Sequence, residues 1–408
     1  MILLPRLTPG PPSGSGYQIS SMRRLAILLL IILAGLAPLS HLCAQLTWSG
    51  DVAVLIKGLD RHLIENQNFR GDDPFHEIRV RLFPRHWVND RIAFFGELLY
   101  DNGLNAAALR VNGAYVVINS LLEYQGVNLK AGLIPSPFGN YSLRSTYFNL
   151  NPLIGVPLMW HYRTPMPTDM YPTNEFLHKE KVKTNAAGYA PIGYDACWDT
   201  GVELFGDLGR LEYSLALTDG AMSSPGASAN DGRQLIARLG FNFTAGSRLG
   251  FSVARGPHFW PLAADRDTLG YKRVEDFQAT VAGIYAQYIV NHLQLYGELV
   301  RSTWEVPSAY LVEGQAYADA GYLEGRYDFL VRWYLAARLD FITYSQIENP
   351  ASGRDEAWGD DLLRLETGLG YRLSREAIVK LVYQKNDYQY GWRSADPEVL
   401  ALQLHLAF

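Results

Sequence analysis

At 408 residues with a formal net charge of −5, the chain offers no electrostatic reason to bind nucleic acid. It has two cysteines, and because Cys43 falls in an N-terminal leader, Cys197 stands alone and an intrachain disulfide framework is excluded. Twenty-five tyrosines and nine tryptophans are many for a soluble domain, and amphipathic aromatics concentrate where protein meets a membrane–water interface.

The leader reads from Met22-Arg23-Arg24 through an apolar run over 25–36 to His41-Leu42-Cys43-Ala44. A charged flank, a short apolar core and a small residue outline a secretory signal peptide, whereas a spanning helix needs about 20 apolar residues. Cleavage is expected after Ala44, although Leu42 stands where a small residue is preferred. Residues 1–21, rich in Pro, Gly and Ser, precede the expected true start at Met22. Residues 1–44 are therefore read as leader and 45–408 as mature chain, where no window is apolar enough for long enough to cross a bilayer as a helix.

From Leu46 onward the pattern is period-2 alternation in windows of about ten residues, the mark of strands. Leu46, Trp48, Val52, Val54 and Ile56 oppose Thr47, Ser49, Asp51 and Lys57. Ile78, Val80 and Leu82 alternate with Glu77, Arg79 and Arg81, and Ile92, Phe94, Leu98 and Tyr100 with Arg91, Glu97 and Asp101. Leu109, Val111 and Tyr115 oppose Arg110 and Asn112, and Val127, Leu129 and Leu133 oppose Asn128 and Lys130. The second half repeats the sorting at Leu235, Leu239, Phe241 and Phe243 against Gln234, Arg238 and Asn242, at Leu293, Leu295 and Leu299 against His292, Gln294 and Glu298, at Leu335, Leu339 and Phe341 against Arg338 and Asp340, and at Leu363, Leu365 and Leu369 against Arg364 and Glu366. About sixteen windows can be placed, the weakest at 279–288 and 317–327.

Short connections (206–210, 244–248 and the stretch near Asp328) alternate with long ones (60–74, 219–232, 256–276, 302–315, 345–361 and 386–397), as an up-and-down meander requires. The longest, 135–194, is rich in Pro, Asn and aromatics, and a compact domain does not leave such a stretch structureless without a reason. In the last window Leu400, Leu402, Leu404, Leu406 and the terminal Phe408 alternate with Ala401, Gln403, His405 and Ala407. An amphipathic strand ending on an aromatic resembles the C-terminal signature of bacterial outer-membrane barrels, which their assembly machinery reads, so Phe408 is taken as the assembly signal.

Alternation also fits a secreted β-sandwich. Strands near the 9 to 11 residues that cross a bilayer, interfacial aromatics and the terminal Phe408 favour instead a transmembrane up-and-down antiparallel β-barrel, all-β, of about sixteen strands. An arginine turned to lipid near the midplane costs roughly 2 to 4 kcal/mol, so the polar face is assigned to the lumen. The candidate pore-lining residues are Arg79, Arg81, Arg91, Arg110, Lys130, Arg238, Arg338, Arg364 and Lys380 with Glu97, Asp199, Glu203, Glu298, Asp340 and Glu366. Opposite charges there either pair across strands and stiffen the wall or line a path. Sixteen strands leave an aqueous passage, and segment 135–194, with Arg144, Arg163, Asp169, Glu175, Lys179 and Lys181, either folds into it or stays an extracellular loop.

Lys130-Ala131-Gly132-Leu133-Ile134-Pro135-Ser136-Pro137-Phe138-Gly139 resembles the strand-to-loop segment of the phosphate-selective porin O and P family. The resemblance extends through the long loop, the strand Ala337-Arg338-Leu339-Asp340 and the terminal phenylalanine. It implies a sixteen-stranded, usually trimeric, passive channel in contact with outer-membrane lipid and the barrel-assembly machinery, passing small polar solutes. The family's phosphate-specific members use a dense basic ladder, which the interleaved acids here do not match.

Other chemistry was weighed. His62, His76, His86, His161, His178, His258 and His292 fall mostly in loops or turns, and His405 is predicted inward. There is no outward Ser–His pair, no His or Cys doublet at metal-ligand spacing and no phosphate-binding glycine loop, so neither enzyme, cofactor nor metal is expected. The remaining alternative is a barrel acting as receptor or adhesin with a plugged lumen.

Overall fold

The computed structural model describes residues 46–60, 66, 73–102, 108–145, 151–179, 188–193, 198–219, 232–259, 276–388 and 397–408. The leader, its cut after Ala44, Cys197 and His62 lie outside the described residues.

Sixteen antiparallel strands close into a barrel. The first five are β1 (Leu46–Asp60), β2 (Ile78–Trp87), β3 (Ile92–Asp101), β4 (Ala108–Ile118) and β5 (Asn128–Pro135). A small internal hairpin of β6 (Arg163–Pro167) and β7 (Tyr189–Pro191) follows, outside the wall. The wall resumes with β8 (Trp198–Leu208), β9 (Leu211–Thr218), β10 (Gln234–Thr244), β11 (Ser247–Pro257), β12 (Gln278–Val290), β13 (Leu293–Glu305), β14 (Gln315–Tyr327) and β15 (Trp333–Tyr344). After a second hairpin, β16 (Gln346–Asn349) and β17 (Arg354–Ala357), it ends with β18 (Leu362–Arg372), β19 (Ala377–Tyr388) and β20 (Glu398–Ala407). The seam pairs β1 with β20, Val54 against Leu404, and Gly50 and Phe408 exchange backbone hydrogen bonds of 2.9 Å in both directions. The terminal residue thus completes the ring, which leaves no sheet edge unpaired in hydrocarbon.

Outward positions carry the apolar set: Leu235, Leu239 and Phe241 on β10, Leu335 and Leu339 on β15, Leu400, Leu402 and Leu406 on β20 are all exposed. Aromatics gather on the outer face at the end where the turns are short, with Phe241 beside Phe243 and Trp333 4.5 Å from Tyr371. Many other aromatics serve the interior instead: Tyr285, Tyr296, Tyr322 and Tyr334 are buried inside the wall. Outward ion pairs do occur, Arg255 with Glu305 and Arg301 with Asp319, toward the opposite, long-loop rim. Near an interface an outward arginine costs only about 0 to 1 kcal/mol, and these pairs mark where the apolar band ends.

The weak windows are full strands, β12 and β14. One long connection is shorter than the alternation suggests, because β13 continues to Glu305, and the connection 345–361 folds back on itself as β16–β17. Segment 135–194 is not structureless: it contains helical turns at Tyr141–Ser145, Leu158–His161 and Asn174–Lys179 besides the β6–β7 hairpin.

Candidate functional site

The described part of the long segment lies inside the barrel, held by side chains on the faces opposite the exposed leucines. Its backbone N–H groups donate to carboxylates of the wall: Asn140 and Tyr141 to Glu298 at 3.0 and 2.6 Å, Ile154 and Gly155 to Glu366 at 3.2 and 2.8 Å, Leu158 to Asp340 at 3.0 Å. Its carbonyls accept from the wall's cations: Asn151 and Leu153 from Lys380 at 2.7 and 3.2 Å, Gly155 from Arg338 at 3.0 Å, Val156 from Arg364 at 3.4 Å. Irregular backbone away from water must find partners, and bonds to charged groups contribute about 1.5 to 3 kcal/mol each. The wall therefore supplies what a helix or sheet would otherwise supply.

Arg338 is the hub. Its guanidinium meets Glu324 at 3.1 Å, Asp340 at 3.0 Å and Glu366 at 2.6 Å, while Arg144 of the segment reaches Glu324 at 2.6 Å. All five are buried. Charges this deep persist only when paired and hydrogen-bonded, since removing one partner leaves an uncompensated charge at a cost of about 3 to 5 kcal/mol. Gln384 links Glu366 at 2.8 Å to Asn66 at 2.9 Å.

Two glycines make the fit. At Gly155 a Cβ would stand 2.4 Å from Glu366 Oε2 and 2.6 Å from Gln384 Nε2. At Gly139, with φ +68°, it would stand 2.3 Å from Glu298 Oε2, so both conformation and space require glycine. Beyond these contacts the segment adds its own apolar core, Leu158, Met159, Trp160, Tyr162 and Met166, to inward residues of the wall such as Trp304, Tyr322 and Tyr344 and to Trp358 just after β17.

The inner face of β2–β5 and β8 is lined differently. Arg81 is buried against Asp51 at 2.6 Å, and Asp51 also meets His405 at 3.2 Å. Arg79 is half-buried opposite Asp101, which bonds His76. Glu97 accepts from Asn112 at 3.4 Å, and Arg110 stands in register with buried Leu99. Lys130 reaches Glu203 at 2.6 Å, and Ser214 donates to Glu203 at 2.8 Å. Asp199 is buried in register with Ile134, and further round Arg238 meets Glu212 at 2.5 Å. The predicted site residues thus fall into two groups: Glu298, Arg338, Asp340, Arg364, Glu366 and Lys380 hold the segment, and the remainder lie on the β2–β10 side, Arg91 excepted.

Arg91 is not on the wall. Asn89 Oδ1 accepts from the backbone N–H of Arg91 and Ile92, both at 2.9 Å, which closes a turn before β3 begins. The exposed Arg91 side chain lies 3.7 Å from Glu123 at the turn rim. Tyr115, expected outward, faces inward. Glu97 pairs with Gly113 and Leu98 with Val111, so Asn112 is an extra residue and the bulge reverses the parity of β4 beyond it. Alternation also missed Arg85, an exposed inward guanidinium on β2, and the inward rings Phe83, Phe95 and Phe205. The odd-numbered phase of Arg79 and Arg81 passes through Phe83 to Arg85 and was the available signal.

Among the described residues no three His, Cys, Asp or Glu side chains group as metal ligands. Just beyond β11, burial lowers the His258 pKa to about 4. Its ring bonds the Glu305 carbonyl at 2.8 Å and packs on Phe259, which touches Tyr171 of the segment.

No family model matches the chain, and no curated protein matches it in sequence. Solved structures share its fold. The trimer form of OmpT, an outer membrane protein of Vibrio cholerae, is 11% identical over 89% of this chain and 99% of its own, with a TM-score of 0.51. An anion-selective porin from Comamonas acidovorans is 10% identical over 89% and 99%, TM-score 0.51. The outer membrane channel DcaP of Acinetobacter baumannii is 14% identical over 89% and 97%, TM-score 0.50. At such identities the likeness establishes an outer-membrane barrel fold.

Proposed function

We propose that the chain is an outer-membrane porin, a passive channel for small polar or charged solutes, narrowed by the docked segment. The observation that carries this reading is the inner wall itself: ionised residues enclosed by an apolar outer belt, with Arg85 still exposed near the turn rim of β2. Arg338 is surrounded by three carboxylates and Lys130 and Arg238 each meet one. The basic ladder that phosphate selectivity needs is thus absorbed in pairs, and the reading is of a general rather than a phosphate-specific channel. Passage without chemistry is the proposed activity, so the chain is read as a non-enzyme.

Export by the 1–44 leader, recognition of Phe408 by the barrel-assembly machinery, residence in outer-membrane lipid and assembly as a homotrimer belong to the same proposal. One structural neighbour is described in a trimer form. Planar-bilayer recording of the purified barrel tests the function. Stepwise current in potassium chloride supports a channel, and silence with no solute-driven swelling of liposomes supports a plugged receptor or adhesin instead. Chemical cross-linking in detergent, expected to yield a trimer band, tests the assembly.

A further inference from the structure

Across five neighbouring wall strands, near the turn rim, the inward positions carry Arg85 (β2), Phe95 (β3), Tyr115 (β4), Lys130 (β5) and Phe205 (β8). The register sets Arg85 beside Phe95 and Phe95 beside Tyr115. The Arg85 guanidinium lies 4.8 Å from the Phe95 centroid, the Phe95 and Tyr115 rings stack at 5.4 Å and 12°, and Lys130 Nζ lies 5.8 Å from Tyr115 and 4.6 Å from Phe205. Two cations and three rings share one strip.

Three features separate this strip from a merely structural wall. Its rings are half-exposed, whereas Tyr296, Tyr322 and Tyr334 on the covered side are buried. Leaving aromatic surface in contact with lumen water is unfavourable unless something covers it. Arg85 is exposed, and among the described residues no carboxylate lies within ion-pair distance of it, in contrast to Arg81, Lys130 and Arg238. A guanidinium presents a planar fork matched to a carboxylate, and ring edges left toward the lumen take the face of a flat apolar body in edge-to-face contact.

We propose that this strip is a binding site for small aromatic anions, with an arene carboxylate as the fitting ligand. The proposal rests on the channel reading and deepens it by naming a solute class. The ligand ring lies with its face across the lumen-facing edges of Phe95 and Tyr115 while its carboxylate meets Arg85, with Lys130 adding a more distant charge neutralised in part by Glu203. Such a site holds its solute weakly, as transport requires, since a solute must leave as readily as it enters.

Fluorine NMR of para-fluorobenzoate with the full barrel folded in detergent tests it. Saturable line broadening is expected, reversed by benzoate about tenfold more effectively than by acetate or cyclohexanecarboxylate. Arg85→Gln and Phe95→Leu/Tyr115→Leu are expected to abolish it in protein that keeps its heat-modifiable gel shift. Equal displacement by acetate, or undiminished broadening in the folded variants, overturns the proposal. Should a variant fail to fold, the competition with wild-type protein decides. Recording current from the same preparation separates the two readings: current without fluorobenzoate binding refutes the strip and keeps the channel, and binding without current does the reverse.

Discussion

The two sides of the barrel interior use the same residue types to opposite ends. On β13–β15, β18 and β19, arginine, lysine and carboxylates are buried and spent on the backbone of segment 135–193, which they hold at atomic contact. Near the turn rim of β2–β5 and β8, cations stand beside rings, and Arg85 remains exposed, although deeper on the same strands Arg81 and Glu97 are buried. Charge inside a barrel is therefore no sign of a path by itself. What distinguishes wall from path is whether the charge is already consumed.

Breaking the covered side should have the largest effect. Arg338→Ala leaves Glu324, Asp340 and Glu366 without their shared partner, a loss of about 3 to 5 kcal/mol. The segment is expected to detach, raising single-channel conductance and the rate of proteolysis within 151–179. Gly155→Val attacks the same contact from the segment's side. Its β-branched side chain overlaps Glu366 and Gln384, and overpacking of this kind costs about 1 to 3 kcal/mol, so a smaller rise in conductance is expected in bilayer recordings.

The strand pattern was legible because each wall strand must place one face in hydrocarbon, and Leu400 to Phe408 show this without ambiguity. Docking of the segment was not. Leu158, Met159 and Trp160 have no period to reveal their partners, and those partners lie on strands far along the chain, such as Asp340 and Glu366. The inward turn of Tyr115 was hidden for a different reason, since the Asn112 bulge exists only in the pairing of β4 with β3. Tyrosine content pointed to the membrane interface, yet Tyr322 and Tyr334 show that much of it packs inside.

Sharpening the uncovered side gives smaller effects. Arg85→Gln removes an exposed charge that no carboxylate among the described residues offsets, and the reversal potential in a potassium chloride gradient is expected to move toward lower anion preference. The smallest effect is one of pH. His258 has its pKa lowered in the fold to about 4 from 6.5, so the stability it contributes is complete above about 6.5 and is lost as pH falls from there through 4. Acidification to pH 4 should loosen the Phe259–Tyr171 contact, read as faster proteolysis of the segment, and His258→Asn should flatten that dependence.

Thiol accessibility tests the contrast between the two sides most directly. With Cys197 replaced by serine, Arg85→Cys and Ser252→Cys place single thiols on the uncovered wall and beneath Gly139 of the segment, whose N–H donates to Ser252 at 3.0 Å. Reaction of the folded barrel with a membrane-impermeant maleimide is expected to be at least on the order of tenfold faster at the first position than at the second. Equal rates, or faster labelling beneath the segment, would contradict the account.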